Sequence, residues 1–109
     1  MPAADRTANL QGCIVDCLEC YSLCRQDARH VQPDHFRLMD DCAEICRTAA
    51  HFMLSRSAFY GDLCAVCARI CDACAQGCED IGGMDACARA CRGCARSCRL
   101  LAERHGERR

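Results

Sequence analysis

Between Cys64 and Cys78 the chain reads CAVCARICDACAQGC, five cysteines at spacings of three, four, three and four. At ~100° per residue of α-helix their thiols fall within an arc of roughly 80°. One helix face is therefore a stripe of sulfur where Leu, Ile or Val would normally sit. The pattern recurs in Cys13, Cys17, Cys20 and Cys24, in Cys42 and Cys46, and in Cys87, Cys91, Cys94 and Cys98. Helical neighbours three or four apart have Cβ atoms within ~5–6 Å, so two sulfurs can grip one ion in a near-linear S–M–S arrangement. Cu(I) suits that geometry because it is soft, favours thiolate and accepts two or three ligands, whereas Zn(II) usually takes four donors at tetrahedral angles. If every thiolate bridges two ions, capacity approaches one copper per cysteine, about 15 per chain. Monovalent cations would also cancel the repulsion among fifteen buried thiolates.

Such a stripe needs helices that turn it inward. The chain has 109 residues and 15 cysteines but no Trp, three Phe and two Tyr, so thiols must supply much of the interior of a single domain spanning 1–109. All 14 basic residues are Arg, interspersed with Asp and Glu at a net charge of −1, which leaves no nucleic-acid patch. The opening MPAADRTANLQG has neither a basic n-region with an apolar h-region nor a twin-Arg signal, and no apolar run approaches ~18 residues. The expectation is a cytoplasmic protein without a membrane role, where disulfides are disfavoured and cysteine density points to metal or redox chemistry.

Breakers divide the chain into helices over about 8–30, 35–56, 58–80 and 84–105. Thr7 or Asn9 is expected to cap the first, Pro33 to stop it, and Asp34 to cap the second. Gly61 is the main breaker chemistry near the turn at Ser57, and Gly82 and Gly83 stop the third helix before Met84 or Asp85 opens the fourth. On the second helix one face carries His35, Met39, Cys42, Cys46, Ala49 and Met53. The reading is all-α, an antiparallel up-and-down four-helix bundle with a cysteine-lined core. Arg89, Arg92, Arg96 and Arg99 face outward, while Val15 and Leu18 project away from the thiols and suggest a subunit interface.

Seven pairs of cysteines separated by three residues carry a resemblance across about Asn9 to His105: Cys13/Cys17, Cys20/Cys24, Cys42/Cys46, Cys67/Cys71, Cys74/Cys78, Cys87/Cys91 and Cys94/Cys98, with Cys64 completing the third stripe. In these the chain resembles the bacterial copper storage proteins, cysteine-rich four-helix bundles that pack Cu(I) inside, and it looks like their cytosolic branch. The resemblance implies Cu(I) sequestration for storage or protection, a homotetramer, a copper donor or acceptor as partner, and one open end for metal. In an up-and-down bundle His35, Met39 and Met84 share one pole on the thiol seams, where imidazole and thioether are weaker Cu(I) ligands suited to passing metal inward. The other pole gathers Leu10, Met53, Phe59, Tyr60, Leu63, Leu100 and Leu101 as an apolar plug, with His105 beyond it in a fraying end. His51 and His30 read as surface histidines. The second helix is sparse in cysteine, with Met39, Ala49 and Met53 at positions where thiols could sit.

Other chemistries fit less well. CAVCARIC superficially suggests an iron–sulfur ligand run, yet ferredoxin ligands lie on loops at C-x2-C-x2-C-x3-C-P. A disulfide framework conflicts with an odd cysteine count in a reducing compartment. A Zn(II) or Cd(II) polythiolate buffer is the alternative to copper, since several soft ions bind such cores. Ser, His and acidic residues form no nucleophile and base constellation, so no enzyme is expected.

Overall fold

Asn9 starts the first helix: its Oδ1 accepts the Gly12 N–H at 2.7 Å and satisfies one of the unpaired donors of the opening turn. In this computed structural model residues 9–28 and 32–107 are described. Thr7, the alternative cap, and His30 lie outside them. The helices are α1 (Leu10–Asp27), α2 (Pro33–Leu54), α3 (Tyr60–Ile81) and α4 (Asp85–Glu107), the last running two residues past its expected end. No strand occurs among the described residues, and no described helix is long and apolar enough to cross a membrane.

Two boundary expectations change. Pro33 does not merely separate helices but opens α2, with Gln32 extended before it at φ −63° and ψ 153°. A proline in the first turn loses nothing, because its missing N–H would have had no helical acceptor there. Asp34 accordingly sits inside the first turn, beside the positive end of the helix dipole, and makes no cap hydrogen bond. At the α2–α3 turn the break is made without Gly61: Arg56 takes a left-handed φ of 56°, Ser57 Oγ accepts the Phe59 N–H at 3.0 Å, and the Ser57 carbonyl accepts the Tyr60 N–H at 3.2 Å. Gly61 is instead buried in the first turn of α3. Gly82 and Gly83 end α3 as expected, at φ 83° and 76°, a conformation that side chains with Cβ disfavour.

Each helix packs against its sequence neighbours, and α1 closes the ring against α4. The alternation of helix directions is fixed by contacts between opposite ends: Cys13 near the start of α1 meets Cys98 near the end of α4, and Cys24 near the end of α1 meets Cys87 near the start of α4. The bundle is therefore antiparallel and up-and-down. Ion pairs stitch its outer seams. Arg25 on α1 holds Asp40 and Glu44 of α2 at 2.6 and 2.7 Å. Arg92 on α4 bridges Asp72 and Glu79 of α3, and Arg99 also pairs with Asp72. Exposed pairs of this kind contribute about 0–1 kcal/mol each, so they select helix neighbours more than they hold the fold.

Candidate metal centre

The interior is made of small side chains. All fifteen cysteines are buried, none is in a disulfide, and apart from them the largest fully buried side chains are Met39 and Met53. Alanines 43, 49, 50, 68, 75 and 95 fill the flanks of the seams, which lets the four helices approach closely enough for sulfurs on different helices to touch.

They touch as one column. At the pole where α1 ends, Cys24 lies 3.6 Å from Cys87, 3.8 Å from Cys91 and 4.0 Å from Cys74. Next along the axis, Cys20 is 3.7 Å from Cys42 and 3.6 Å from Cys91, and Cys42 is 3.6 Å from Cys71. Cys46 continues to Cys71 at 3.5 Å and Cys67 at 3.8 Å, and Cys94 to Cys17 at 3.5 Å. Beyond these, Cys98 joins Cys17 at 3.6 Å and Cys13 at 3.5 Å. Cys64 and Cys78 are the ends of the column, and each meets a different ligand type. Cys78 Sγ is 3.4 Å from His35 Nε2, and Cys64 Sγ is 3.8 Å from Met53 Sδ.

Burial without a cation makes thiolates costly. The sulfurs of Cys17, Cys20, Cys42 and Cys67, accepting the S–H of Cys46, and then burial hold Cys46 far above the ordinary thiol range. Cys91 is raised in the same way by Cys20, Cys24, Cys42 and Cys74. At Cys94 and Cys74 the neighbours act in the opposite sense, their S–H groups favouring the thiolate. Most thiols of the column are thus held protonated and shed their protons when soft cations replace them.

Of the pole expected to admit metal, His35 and Met39 are buried and Met84 is half-buried; only His35 meets a column sulfur at hydrogen-bond distance among the described contacts. Gly77 makes room for the imidazole, since a Cβ there would stand 2.5 Å from His35 Cε1. A glycine inside a helix costs roughly 1 kcal/mol relative to Ala, which was the available sign that position 77 serves a close approach. The opposite pole needs three corrections. Phe59 and Leu100 are exposed and do not belong to the plug, which consists of Met53 and Leu101 with half-buried Leu10, Tyr60 and Leu63. Met53 is more than filler, because its thioether extends the sulfur column past Cys64. His105 does not lie beyond the plug in a fraying end: it is half-buried within α4, its ring centroid 4.7 Å from that of Tyr60, over Gly61, where any Cβ would overlap it. His51 is exposed, as expected.

Comparison with known proteins gives the same picture. A family model described as Csp, copper storage protein, matches residues 2–103. The Bacillus subtilis protein YhjQ, described as an uncharacterized cysteine-rich protein, is 38% identical over 67 residues, 61% of this chain and 62% of its own length, so the chain matches about three fifths of that curated relative. A crystal structure of a Nitrosospira multiformis protein superposes with a TM-score of 0.84 at 48% identity, covering 87% of this chain and 95% of the other. Apo copper storage protein 3 from B. subtilis gives a TM-score of 0.76 at 38% identity, over 84% of this chain and 97% of that one. A Cu(I)-bound copper storage protein, BsCsp3, gives 0.78 at 34% identity, over 84% and 96%.

Proposed function

The chain belongs to the copper storage protein family, and from that premise we propose that it takes up many Cu(I) ions on the thiolates of Cys13, Cys17, Cys20, Cys24, Cys42, Cys46, Cys64, Cys67, Cys71, Cys74, Cys78, Cys87, Cys91, Cys94 and Cys98. The observation that carries this reading is the unbroken column of unpaired, buried sulfurs, with neighbours 3.5–4.0 Å apart across all four helices. Sulfurs within the column, such as Cys24, Cys42, Cys46 and Cys94, each have several sulfur neighbours, so ions bridging adjacent thiolates reach a capacity of about one per cysteine. Copper is cargo here, and no reaction is assigned to the site.

The test is an anaerobic Cu(I) titration of the reduced protein against a chromophoric chelator, with thiols counted in parallel and Zn(II) as competitor. The expected end point is on the order of 15 equivalents. Saturation at one or two equivalents would defeat storage.

Metal enters at the His35 pole in this proposal. His35 stands 3.4 Å from the last sulfur of the column, and Met39 and Met84 lie at the same end of the bundle. An imidazole and two thioethers bind Cu(I) more weakly than thiolate and so pass it inward. Replacing both His35→Ala and Met39→Ala should slow uptake or release about tenfold or more while most capacity survives, an estimate scaled to the loss of a supporting ligand. Unchanged transfer kinetics would remove those residues from the route, and slowing by His105→Ala instead would move the mouth to the opposite pole.

Fifteen free thiols suit a reducing compartment, which supports a cytosolic store. A homotetramer is supported by apolar side chains left outside the bundle, above all Val15 at 58% and Leu54 at 60% exposure, which flank one shallow groove with Leu10 and Ile14. A copper donor or acceptor would complete the cycle.

A further inference from the structure

The middle of the sulfur column is organised differently from its ends. Cys67 and Cys71 lie one turn apart on α3, and Cys46 of α2 and Cys94 of α4 approach them from the two flanking helices. Among these four sulfurs the separations are 3.8 Å for Cys46 to Cys67, 3.5 Å for Cys46 to Cys71, 3.8 Å for Cys46 to Cys94, 3.8 Å for Cys67 to Cys71 and 3.9 Å for Cys67 to Cys94. The sixth, Cys71 to Cys94, is within 4.8 Å. The quartet is therefore a nearly closed tetrahedron before any metal arrives.

Its size selects among ions. Four sulfurs at about 2.3 Å from a central Zn(II) define a tetrahedron with edges of about 3.8 Å. A near-linear two-coordinate ion at the same bond length would need its two sulfurs about 4.6 Å apart, so the quartet would have to spread to serve one. We propose that Cys46, Cys67, Cys71 and Cys94 form a preorganised, closed four-thiolate site for a single tetrahedral divalent ion of the Zn(II) or Cd(II) class, set at the centre of the copper column.

Binding exchanges the four thiol protons, which pass to solvent, for one divalent ion. Two negative charges then remain in the core. Thiols outside the quartet are placed to hydrogen-bond to them: Cys42 is 3.6 Å from Cys71, and Cys17 and Cys98 are 3.5 and 4.0 Å from Cys94. This outer shell holds the ligand sulfurs in orientation as well as sharing their charge. A second four-sulfur group, Cys20, Cys24, Cys42 and Cys91, shares no member with the quartet and is less closed, with four separations of 3.6–3.9 Å. It supplies an internal control.

The experiment adds Zn(II), and separately Co(II) as a spectroscopic substitute, to the reduced full-length protein without oxygen. At one equivalent, X-ray absorption should give four sulfurs at about 2.3 Å around Zn(II), and Co(II) should develop the intense d–d bands of a tetrahedral tetrathiolate. Cys67→Ser should weaken the first equivalent by on the order of a hundredfold, at least the upper range seen for losing a second-shell partner. Cys24→Ser should leave the first equivalent's spectrum and affinity as in the parent. Far-UV circular dichroism of both variants separates ligand loss from misfolding, and the X-ray measurement on the parent stands independently of either variant. Fewer than four sulfurs around the first ion, or loss of the first equivalent on Cys24→Ser with retention on Cys67→Ser, would overturn the proposal. Copper capacity measured on the same preparation distinguishes this from a failure of the storage reading, since a high Cu(I) end point with no tetrathiolate Zn(II) site would sink only the quartet.

Discussion

Loading the reduced protein with Cu(I) should raise its melting temperature by roughly 20 °C or more. The apo core has little with which to offset the entropy of ordering the chain, since cysteine and alanine bury far less apolar area than the Leu, Ile and Phe of an ordinary bundle. Among the described residues only Met39 and Met53 are large and fully buried. Metal adds stability in proportion to its preference for the folded state: each independent site held at about a thousand times its Kd contributes about 4 kcal/mol. In a domain of this size about 1 kcal/mol moves the midpoint by about 4–8 °C. Copper also binds thiols of the unfolded chain, which subtracts from the effect. The folded chain nevertheless gathers sulfurs from two or three helices around each ion, as at Cys42 to Cys71 or Cys17 to Cys94, which need spread by only about 1 Å to bridge it. Scanning calorimetry of the apo and fully loaded forms measures the difference. A shift of only a few degrees at saturation would mean that the folded core holds copper no better than the loose chain, and preorganisation by the bundle would lose its meaning.

What the sequence made readable follows from periodicity. Cysteines at three- and four-residue spacing can share a face only on a helix, so four helices and an inward sulfur seam followed from the seven pairs, and all fifteen thiols are found in that seam. The α2 stripe from His35 through Met53 was legible for the same reason, because Met39, Ala49 and Met53 fill with small or flexible side chains the positions that thiols hold elsewhere. Boundaries were less legible. Pro33 was read as a terminator because one residue cannot show on which side of it the helix lies, and Arg56 turns the chain left-handed without any local glycine. Contacts between helix ends were the least legible. That His35 lies over Gly77, and His105 over Gly61, depends on the rotation of neighbouring helices about their axes. Heptad spacing fixes the face but not that final angle. The relation of Met53 to Cys64 is hidden likewise, since a methionine at a seam position looks the same whether its sulfur meets a thiol or a methyl group.

Alkaline pH should unfold the apo protein while leaving the copper-loaded form intact. Eleven of the thiols, Cys17, Cys24, Cys42, Cys46, Cys64, Cys67, Cys71, Cys78, Cys87, Cys91 and Cys98, have their pKa raised by neighbouring sulfurs and burial. Cys13, Cys20, Cys74 and Cys94 are lowered, because neighbouring S–H groups donate to them. For the raised group the folded state keeps its protons to higher pH than the unfolded chain does. Its contribution to stability is therefore complete below the unfolded thiol pKa of about 8.5 and drains away as pH rises beyond it. The lowered four act in the other direction, adding stability above their folded values that no longer grows once the unfolded thiols have also ionised. Above about pH 9 the raised group governs. Retaining even four extra protons per folded chain gives a slope of about −5 kcal/mol per pH unit, so one unit removes the lower end of the usual 5–15 kcal/mol of a folded domain. Helicity of the apo protein should collapse between about pH 9 and 10.5, with thiolate absorbance appearing in the same step, whereas in the loaded form copper has already replaced the protons and the transition disappears. Thiolate absorbance growing in near pH 8.5 with helicity unchanged would show the thiols titrating as freely as exposed cysteine, and a dry sulfur column could not be reconciled with that result.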